Sequence, residues 1–195
     1  MKILIVGVGG IGSHLISEIA NAVKQGQIDI NTEICIADND MVEIEQMLYQ
    51  NFRQNDVGKY KADVLARRYT KDILIKGVNV RIINDSQLKG YDLIICCADN
   101  NPTRNLIFTY CHRNGIDFID LRAEGRYVMA FQKTNIKTDF ETIDLHDSID
   151  GSCQKQEDLE HGRIQYGNKI VALIGLQMFI NYLRGEKNNR VLMKI

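Results

Sequence analysis

Short apolar runs alternate with amphipathic stretches along the first 120 residues of the chain. The apolar runs are rich in Ile, Val, Leu and Cys, as expected of strands that are buried on both faces of a parallel sheet. They lie at Ile3–Val6, Ile34–Ala37, Val78–Ile83, Leu93–Cys97 and Phe118–Ile119. Helical patterns lie between them, at Ile11–Val23, Lys61–Leu74 and Pro102–Arg113. This alternation predicts an α/β fold with a doubly wound, mostly parallel sheet and helices on both faces.

The last third of the chain follows a different pattern. Tyr127–Gln132 has the composition of a strand, and no helical pattern leads into it, which predicts antiparallel strands at that end of the sheet. A polar stretch at 139–160 carries eight acidic residues and one lysine, and we interpret it as a solvated loop. A helix is predicted over Tyr166–Leu183, closed by Gly185, and Val191–Ile195 is predicted as the last strand.

The overall composition narrows the class of protein. The 195 residues include 24 Lys and Arg against 25 Asp and Glu, a formal net charge of −1, which argues against a binder of nucleic acids or membrane surfaces. The longest apolar stretch, near 170–180, is too short to span a bilayer, and the N-terminus lacks a secretory cleavage pattern. Since none of the five cysteines is spaced as C-x-x-C, we expect neither a disulfide framework nor zinc. These features predict a cytoplasmic protein.

A glycine-rich segment joins the first predicted strand to the first predicted helix. Its sequence, Gly-Val-Gly-Gly-Ile-Gly-Ser, begins at Gly7 and contains Gly9, Gly10 and Gly12. Glycines allow a tight turn and let a phosphate approach the main-chain N–H groups at the start of a helix. Asp38 ends the second predicted strand, where a carboxylate can bond ribose hydroxyls. The arrangement predicts a Rossmann-like nucleotide site, and by itself it fits NAD as well as ATP.

Two later motifs favour ATP. D-N-D-M-V-E begins at Asp38 and is followed downstream by D-V-G-K-Y-K-A, which places Lys61 at the start of the second predicted helix. The motif A-D-N-N-P-T-R follows the fourth predicted strand and contains Asp99. A dehydrogenase has no evident use for this lysine and this aspartate. An enzyme that splits ATP between its α and β phosphates needs a cation near the triphosphate and a carboxylate that holds Mg²⁺.

Together these motifs resemble the ThiF/MoeB-type adenylating enzymes, which are related to the ubiquitin-activating enzymes. The G-x-G-G-x-G-S loop, D-x-D-x-V-E, D-V-G-x-x-K-A and D-N-x-x-T-R occur in the family's order, and the resemblance extends from residue 1 to at least 132. It implies MgATP-dependent adenylation of a C-terminal carboxylate, with release of pyrophosphate. The implied partner is a small ubiquitin-like or sulfur-carrier protein that ends in Gly-Gly, and the implied assembly is a homodimer.

The resemblance also implies a domain plan and a set of site residues. The chain 1–195 would be one adenylation domain, with a nucleotide-binding half at 1–120 and an extension of strands, acidic loop and C-terminal helix at 121–195. Asp38 is similar to the family's ribose ligand, Lys61 to its phosphate-contacting lysine and Asp99 to its magnesium ligand. The last two are the candidate catalytic residues. The glycines named above would border the phosphates.

Three polar residues near these motifs have two interpretations each. Asp40 either contacts the nucleotide or caps a short helix. Asn100 is either a ligand or the cap of the helix that Pro102 begins. Arg104 is either a phosphate contact or one half of a surface salt bridge.

The chain departs from the family between Glu43 and Asp56, where an Asn and then an Arg-Gln pair are usual and the Asn and Arg face the nucleotide. One alignment places Gln46 and Tyr49-Gln50 at these positions, so that a fixed charge near the phosphates is lost. A shifted alignment supplies Arg53-Gln54 instead. Both alignments stay open, and Gln46 and Arg53 are therefore both candidate nucleotide ligands.

Cys153 lies in the acidic stretch, roughly where thioester-forming or persulfide-forming relatives keep a reactive cysteine. A nucleophilic thiol needs a lowered pKa, and eight nearby carboxylates act in the opposite direction. We favour an incidental or structural cysteine over a nucleophile.

Three hypotheses about function follow. The first is the MgATP-dependent adenylating enzyme. The second is a catalytically reduced binding subunit, like the inactive halves of paired activating enzymes, and Tyr49 motivates it. The third is an NAD-dependent oxidoreductase, which explains the glycine loop and Asp38 but gives Lys61 and Asp99 no role.

Overall fold

A computed structural model describes residues 1–124, 127–133, 160–161, 166–186, 188 and 190–195. The strands are β1 (Lys2–Val6), β2 (Glu33–Ala37), β3 (Ile75–Val78), β4 (Leu93–Cys96), β5 (Asp117–Glu124), β6 (Tyr127–Lys133) and β7 (Val191–Lys194). The helices are α1 (Gly10–Lys24), α2 (Lys61–Tyr69), α3 (Asn101–Asn114) and α4 (Gly167–Leu183). Short 3₁₀ turns lie at Glu45–Leu48, Gln54–Asp56 and Asp85–Leu88.

Seven strands form one sheet in the order β3-β2-β1-β4-β5-β6-β7. The first five run parallel, while β6 and β7 are antiparallel additions at one edge. The predicted α/β class, with a mostly parallel sheet and antiparallel C-terminal strands, is confirmed. The chain leaves β1 in one direction to build β2 and β3, and in the other to build β4 and β5. A crevice therefore opens at the carboxyl ends of β1 and β4, where such sheets bind ligands.

Apolar side chains cover both faces of the sheet. On one face α1, α2 and α4 pack over residues such as Ile5, Ile95 and Leu121. On the other face α3 packs over a smaller cluster that includes Ile94 and Phe118. Because the central strands are covered on both sides, they read in the sequence as continuous apolar runs.

Two predicted elements were placed wrongly. The third strand is Ile75–Val78, not Val78–Ile83, because its register with β2 ends at Val78 and residues 79–83 do not pair with β2. Beyond Val78 the chain crosses toward α3, which buries Ile82 and leaves Ile83 69% exposed. The second helix ends at Tyr69 instead of Leu74, since the N–H groups of residues 72 and 73 both bond back to the Tyr69 carbonyl and turn the chain toward β3.

The C-terminal elements agree with the prediction within the described residues. Gly185 follows α4 with a φ of +71°, a conformation that side chains other than glycine rarely adopt, and its N–H bonds back to the Tyr182 carbonyl. Across the ranges that the structure describes, no helix has the length and apolar character needed to cross a membrane.

Candidate active site

A cleft of about 500 Å³ lies over the carboxyl ends of β1, β2 and β4. This volume falls within the range typical of small-molecule sites, about 300–1,000 Å³. Its lining includes Gly7, Gly9, Gly10, Asp38, Asp40, Gln46, Tyr49, Gln50, Lys61, Val80, Arg81, Ile82, Cys97, Asp99, Asn100 and Thr103. Most of the site residues predicted from the sequence therefore meet in one place.

The glycine turn between β1 and α1 allows no side chains at three of its four glycines. Gly7 has a φ of +85°, and a Cβ there would lie 2.9 Å from the Ala98 nitrogen. A Cβ on Gly12 would overlap the Gly7 carbonyl oxygen, and one on Gly10 would overlap the amide of Asn168. Only Gly9 has room, with Gln50 Nε2 3.7 Å from the corresponding position. Gly12 therefore allows the close approach of α1 to the Gly7 carbonyl and does not line the cleft.

Asp38 connects the end of β2 to the glycine turn. One carboxylate oxygen accepts the Val8 N–H at 2.7 Å, and the other accepts the Asp40 N–H at 2.8 Å. Burial raises the pKa of the Asp38 carboxyl, while these two hydrogen bonds and the Lys61 charge act in the opposite direction. Each oxygen keeps a lone pair that a ligand hydroxyl can use.

Lys61 opens α2 with its side chain turned into the cleft and is only 3% exposed. Its Nζ lies 3.5 Å from Asp40 Oδ2, and its main-chain N–H donates to the Asp40 carbonyl at 2.9 Å. Asp40 therefore positions the start of α2 as well as pairing with the ammonium group. This burial distinguishes Lys61 from an ordinary helix-surface lysine, whose ammonium group would be solvated.

Asp99 and Asn100 follow β4 at the opposite side of the crevice. The Asp99 carboxylate is exposed and lines the cleft, so a hard cation could use it as a ligand. Asn100 caps α3, since its side-chain oxygen accepts the Thr103 N–H at 3.0 Å. Within the described ranges, His, Cys, Asp and Glu side chains do not gather in groups of three or more that could hold a metal ion.

One wall of the cleft is formed by residues 45–50, which we call the wall segment. Gln46, Tyr49 and Gln50 from this segment line the cleft, whereas Arg53 does not. Arg53 instead begins the next 3₁₀ turn, and its N–H donates to Asp56. The geometry follows the unshifted alignment, so the shifted alternative that brought Arg53 to the nucleotide is not supported.

The opposite wall, Val80–Ile82, was missed in the sequence because its apolar residues were assigned to a strand. Two side-chain contacts hold it in place: Gln87 Nε2 donates to the Arg81 carbonyl at 2.9 Å, and Thr103 Oγ1 lies 3.5 Å from the Ile82 carbonyl. Among the described residues that line the cleft, the cations are Lys61 and Arg81. No local pattern in the sequence signals this wall.

Arg104 is neither a phosphate contact nor part of a surface pair. It is 8% exposed and pairs with Asp120 Oδ1, while Arg122 Nε donates to the other oxygen of the same carboxylate at 2.6 Å. Arg104 also donates to the Leu121 carbonyl at 3.1 Å. The network joins α3 to β5 beneath the cleft, which is a structural role.

Asn168, in the first turn of α4, was also not predicted from the sequence as a residue of the site. It is 1% exposed, packs against Gly10, and neither polar atom of its amide has a hydrogen-bond partner in the described part of the chain. Because the Asn168 amide occupies the space that a Cβ at position 10 would need, this position requires glycine.

Cys153 and nearly all of the acidic stretch lie outside the described residues. The four described cysteines are buried. Burial raises the pKa of Cys96 and of Cys111 to about 12, so these two thiols are poor nucleophiles near neutral pH.

Comparison with known proteins identifies the family and supports the fold. The chain matches the ThiF family over residues 1–194 and belongs to that family. It is 30% identical over 125 residues to the SAMP-activating enzyme E1 of Haloferax volcanii, a match that covers 60% of this chain and 44% of that protein. It is 30% identical over 112 residues to the NEDD8-activating enzyme E1 catalytic subunit of Caenorhabditis elegans, covering 54% of this chain and 24% of that one. The chain thus spans less than half the length of these relatives.

Among solved structures, Escherichia coli MccB bound to ATP superposes with a TM-score of 0.72 at 21% identity, over 100% of this chain and 60% of that one. The microcin C7 biosynthetic enzyme MccB in complex with N-formylated MccA gives a TM-score of 0.76 at 19% identity, over 100% and 61% of the two chains. At these identities the likeness establishes the fold.

Proposed function

We propose that the cleft binds MgATP and that the protein adenylates the C-terminal carboxylate of a small ubiquitin-like or sulfur-carrier protein. Lys61 is the observation that supports this best. Its side chain is 3% exposed and lines the cleft together with the glycine turn. Within the described residues it forms one ion pair, with Asp40 at 3.5 Å, and its charge also acts on Asp38. A buried ammonium needs more compensation than that, and a phosphate on the glycine turn would supply it.

Each part of the cleft has a task in this proposal. Asp38 holds the glycine turn through Val8 and offers its remaining lone pairs to the ribose hydroxyls. The N–H groups at the start of α1 and the Lys61 ammonium stabilise charge on the phosphates. Asp99 fits a magnesium ion, because Mg²⁺ is usually held by one or two carboxylates together with phosphate oxygens and water. When bound there, Mg²⁺ would neutralise charge on the leaving group.

The proposed reaction is a displacement at the α-phosphorus. A carboxylate oxygen of the acyl substrate forms a bond to this phosphorus while the bond to the α,β-bridging oxygen breaks, and pyrophosphate leaves with the electron pair. No general base is required, since a C-terminal carboxylate is ionised near neutral pH. The protein contributes positioning and charge stabilisation. We propose further that residues 1–195 act as one adenylation domain, in a cytoplasmic homodimer.

The names of relatives leave the acyl substrate open. Besides the two activating enzymes, the chain is 26% identical over 132 residues to the tRNA threonylcarbamoyladenosine dehydratase of Haemophilus influenzae, covering 63% of this chain and 48% of that protein. A carrier with a Gly-Gly terminus is the substrate we test first.

Exchange of labelled pyrophosphate into ATP tests the reaction. We expect exchange that depends on a Gly-Gly-tailed carrier from the same genome and that is abolished by Asp99→Ala. Glu45→Ala is the matched control, because Glu45 is an exposed carboxylate of the wall segment that does not line the cleft. Absence of exchange with every such carrier, by a protein whose melting temperature rises with MgATP, would contradict adenylation.

That last outcome describes a nucleotide-sensing form of the second candidate, the catalytically reduced binding subunit. Its nucleotide-free form would keep an intact fold and show no rise in melting temperature with MgATP. Tyr49 favours the second candidate, since this residue lines the cleft where the resemblance leads one to expect an arginine, and Arg53 does not replace it. A rise in melting temperature with NAD but not with MgATP would contradict both candidates, because a ligand stabilises only the protein that binds it.

A further inference from the structure

Both main-chain polar groups of Asn51, the residue that follows the wall segment, are held by side chains from two different helices. The Asn51 N–H donates to Ser13 Oγ at 2.9 Å, and the Asn51 carbonyl accepts from Arg68 Nη1 at 2.6 Å. Ser13 belongs to α1, which begins at the glycine turn, and Arg68 belongs to α2, which begins with Lys61. The end of the wall segment is therefore tied to the two helices that supply Gly10 and Lys61 to the cleft.

Each of these two side chains makes a second contact on the same path. Ser13, which is fully buried, also places its hydroxyl 3.5 Å from the Gly10 carbonyl, inside the glycine turn. Arg68 also pairs with Asp56, whose carboxylate accepts the Arg53 N–H at 2.8 Å. Ser13 thus links the glycine turn to the wall, and Arg68 holds both ends of 51–56.

The wall segment has little apolar support of its own. Its 3₁₀ turn contains no fully buried residue, Leu48 is 66% exposed, and Met47 is the residue of this turn that packs, partly buried, against the main core. Within the segment, the Tyr49 carbonyl lies 3.2 Å from His14 Nε2. Where few buried apolar contacts hold a segment, its position depends on its polar contacts. Loss of those contacts should therefore move the wall without unfolding the sheet.

We propose that Ser13 and Arg68 are positioning residues, which set the distance of the wall segment from the glycine turn and from Lys61. They determine nucleotide affinity without contacting the nucleotide, because displacement of a binding group by about 1 Å is enough to weaken a site strongly. The effect on nucleotide affinity rests on the proposed function, whereas the effect on the wall does not.

A tryptophan reporter separates these two effects. The chain contains no tryptophan, so Leu48→Trp places a single fluorophore on the wall segment at an exposed position. In this background we compare Ser13→Ala and Arg68→Met with the matched controls Ser17→Ala, one turn further along α1, and Arg67→Met, an exposed neighbour on α2. The measurements are acrylamide quenching of the tryptophan and the dissociation constant of MgATP by calorimetry, both well below the melting temperature.

We expect Ser13→Ala and Arg68→Met to increase quenching and to weaken MgATP binding about tenfold, which corresponds to about 1.4 kcal/mol. The two controls should match the parent. Ser13→Thr keeps the hydroxyl and should restore both readouts. Arg68→Lys keeps the charge but not the forked donors, so it should restore them in part.

Unchanged quenching and affinity, in variants with a lowered melting temperature, would overturn the proposal, because a purely structural role predicts that result. Should Ser13→Ala or Arg68→Met fail to fold, Arg68→Lys decides, because it should still change both readouts in part, whereas a purely structural role leaves them at the parent's values. If the parent binds no MgATP, the proposed function fails. Quenching alone then decides the positioning role: an increase supports it and no change overturns it.

Discussion

The ammonium group of Lys61 lies 3.5 Å from a carboxylate oxygen of Asp40, and the lysine is the buried member of this pair. Its side chain is 3% exposed, against 61% for Asp40. Removal of an ammonium group from water costs several kcal/mol, which one exposed carboxylate at this distance offsets only in part. The geometry leaves the lysine able to take a second anion from the cleft side.

Replacement of Lys61 by methionine should therefore separate stability from binding. Lys61→Met removes a buried charge and leaves Asp40 in water, so the melting temperature should stay within a few degrees of the parent or rise. MgATP affinity should fall more than about tenfold. Thermal denaturation and calorimetry measure the two effects. Lys59→Met is the control, since Lys59 is exposed and does not line the cleft. Unchanged affinity in Lys61→Met would contradict a phosphate contact.

The glycines of the turn should differ sharply in their tolerance of alanine. Gly12→Ala and Gly10→Ala each force a Cβ into an occupied position, against the Gly7 carbonyl and the Asn168 amide respectively. We expect each to lose about 1–3 kcal/mol of unfolding free energy, as overpacked sites do. Gly9→Ala has room and should stay within about 0.5 kcal/mol of the parent. Urea unfolding checks this order. Equal losses at all three positions would show that the turn differs from the one described.

Removal of Asp120 should be among the most destabilising single changes in the described chain. Asp120→Ala leaves the Arg104 and Arg122 guanidinium groups buried beside each other without their shared carboxylate. The expected loss is about 3–5 kcal/mol of unfolding free energy. Asp85→Ala, which breaks the exposed pair with Arg113, is the control and should lose no more than about 1 kcal/mol. Similar urea midpoints for the two variants would contradict the buried network.

His14 should make the protein less stable in mild acid. Burial lowers the pKa of His14, so the unfolded chain binds its proton more readily than the folded protein does. The stability associated with neutral His14 is therefore present above the unfolded pKa of about 6.5 and is lost as the pH falls through the folded value. His14→Gln should lose less stability than the parent between about pH 7.5 and pH 5.5. Parallel melting-temperature profiles for the two proteins would refute this assignment.

The sequence predicted the strands of the sheet correctly where apolar residues filled the whole strand. Leu93–Cys97 and Ile34–Ala37 are apolar throughout because helices cover both faces, and their places could be assigned from composition alone. β3 is an edge strand that contains Lys76 and Gly77, so it is not a continuous apolar run. The apolar and polar residues alternate more clearly at 78–83, and the strand was therefore predicted there. The alternation at 78–83 does not reflect burial on one face, because Val78 ends β3, Val80 is 41% exposed and Ile82 is buried.

The candidate site was only partly accessible from the sequence. The order of the motifs predicted that Gly9, Asp38, Lys61 and Asp99 lie close together, because the carboxyl ends of parallel strands share one edge of the sheet. The buried Lys61 and Arg104 pair with residues 21 and 16 positions away, Asp40 and Asp120 respectively, and the residues next to them in the sequence do not indicate this. The same holds for Ser13, which contacts Asn51, and for Asn168, which contacts Gly10. Both contacts join residues at least 38 positions apart in the sequence.

Gly77 has a consequence for how the cleft fluctuates. A Cβ at this position would come within 2.6 Å of the Ala62 carbonyl, so α2 rests directly on the backbone of β3. Since β3 has only one neighbouring strand, it should exchange its amide hydrogens sooner than the centre of the sheet. Fraying of this edge would carry α2 away with it, and the cleft would lose the Lys61 ammonium group long before the molecule as a whole unfolds.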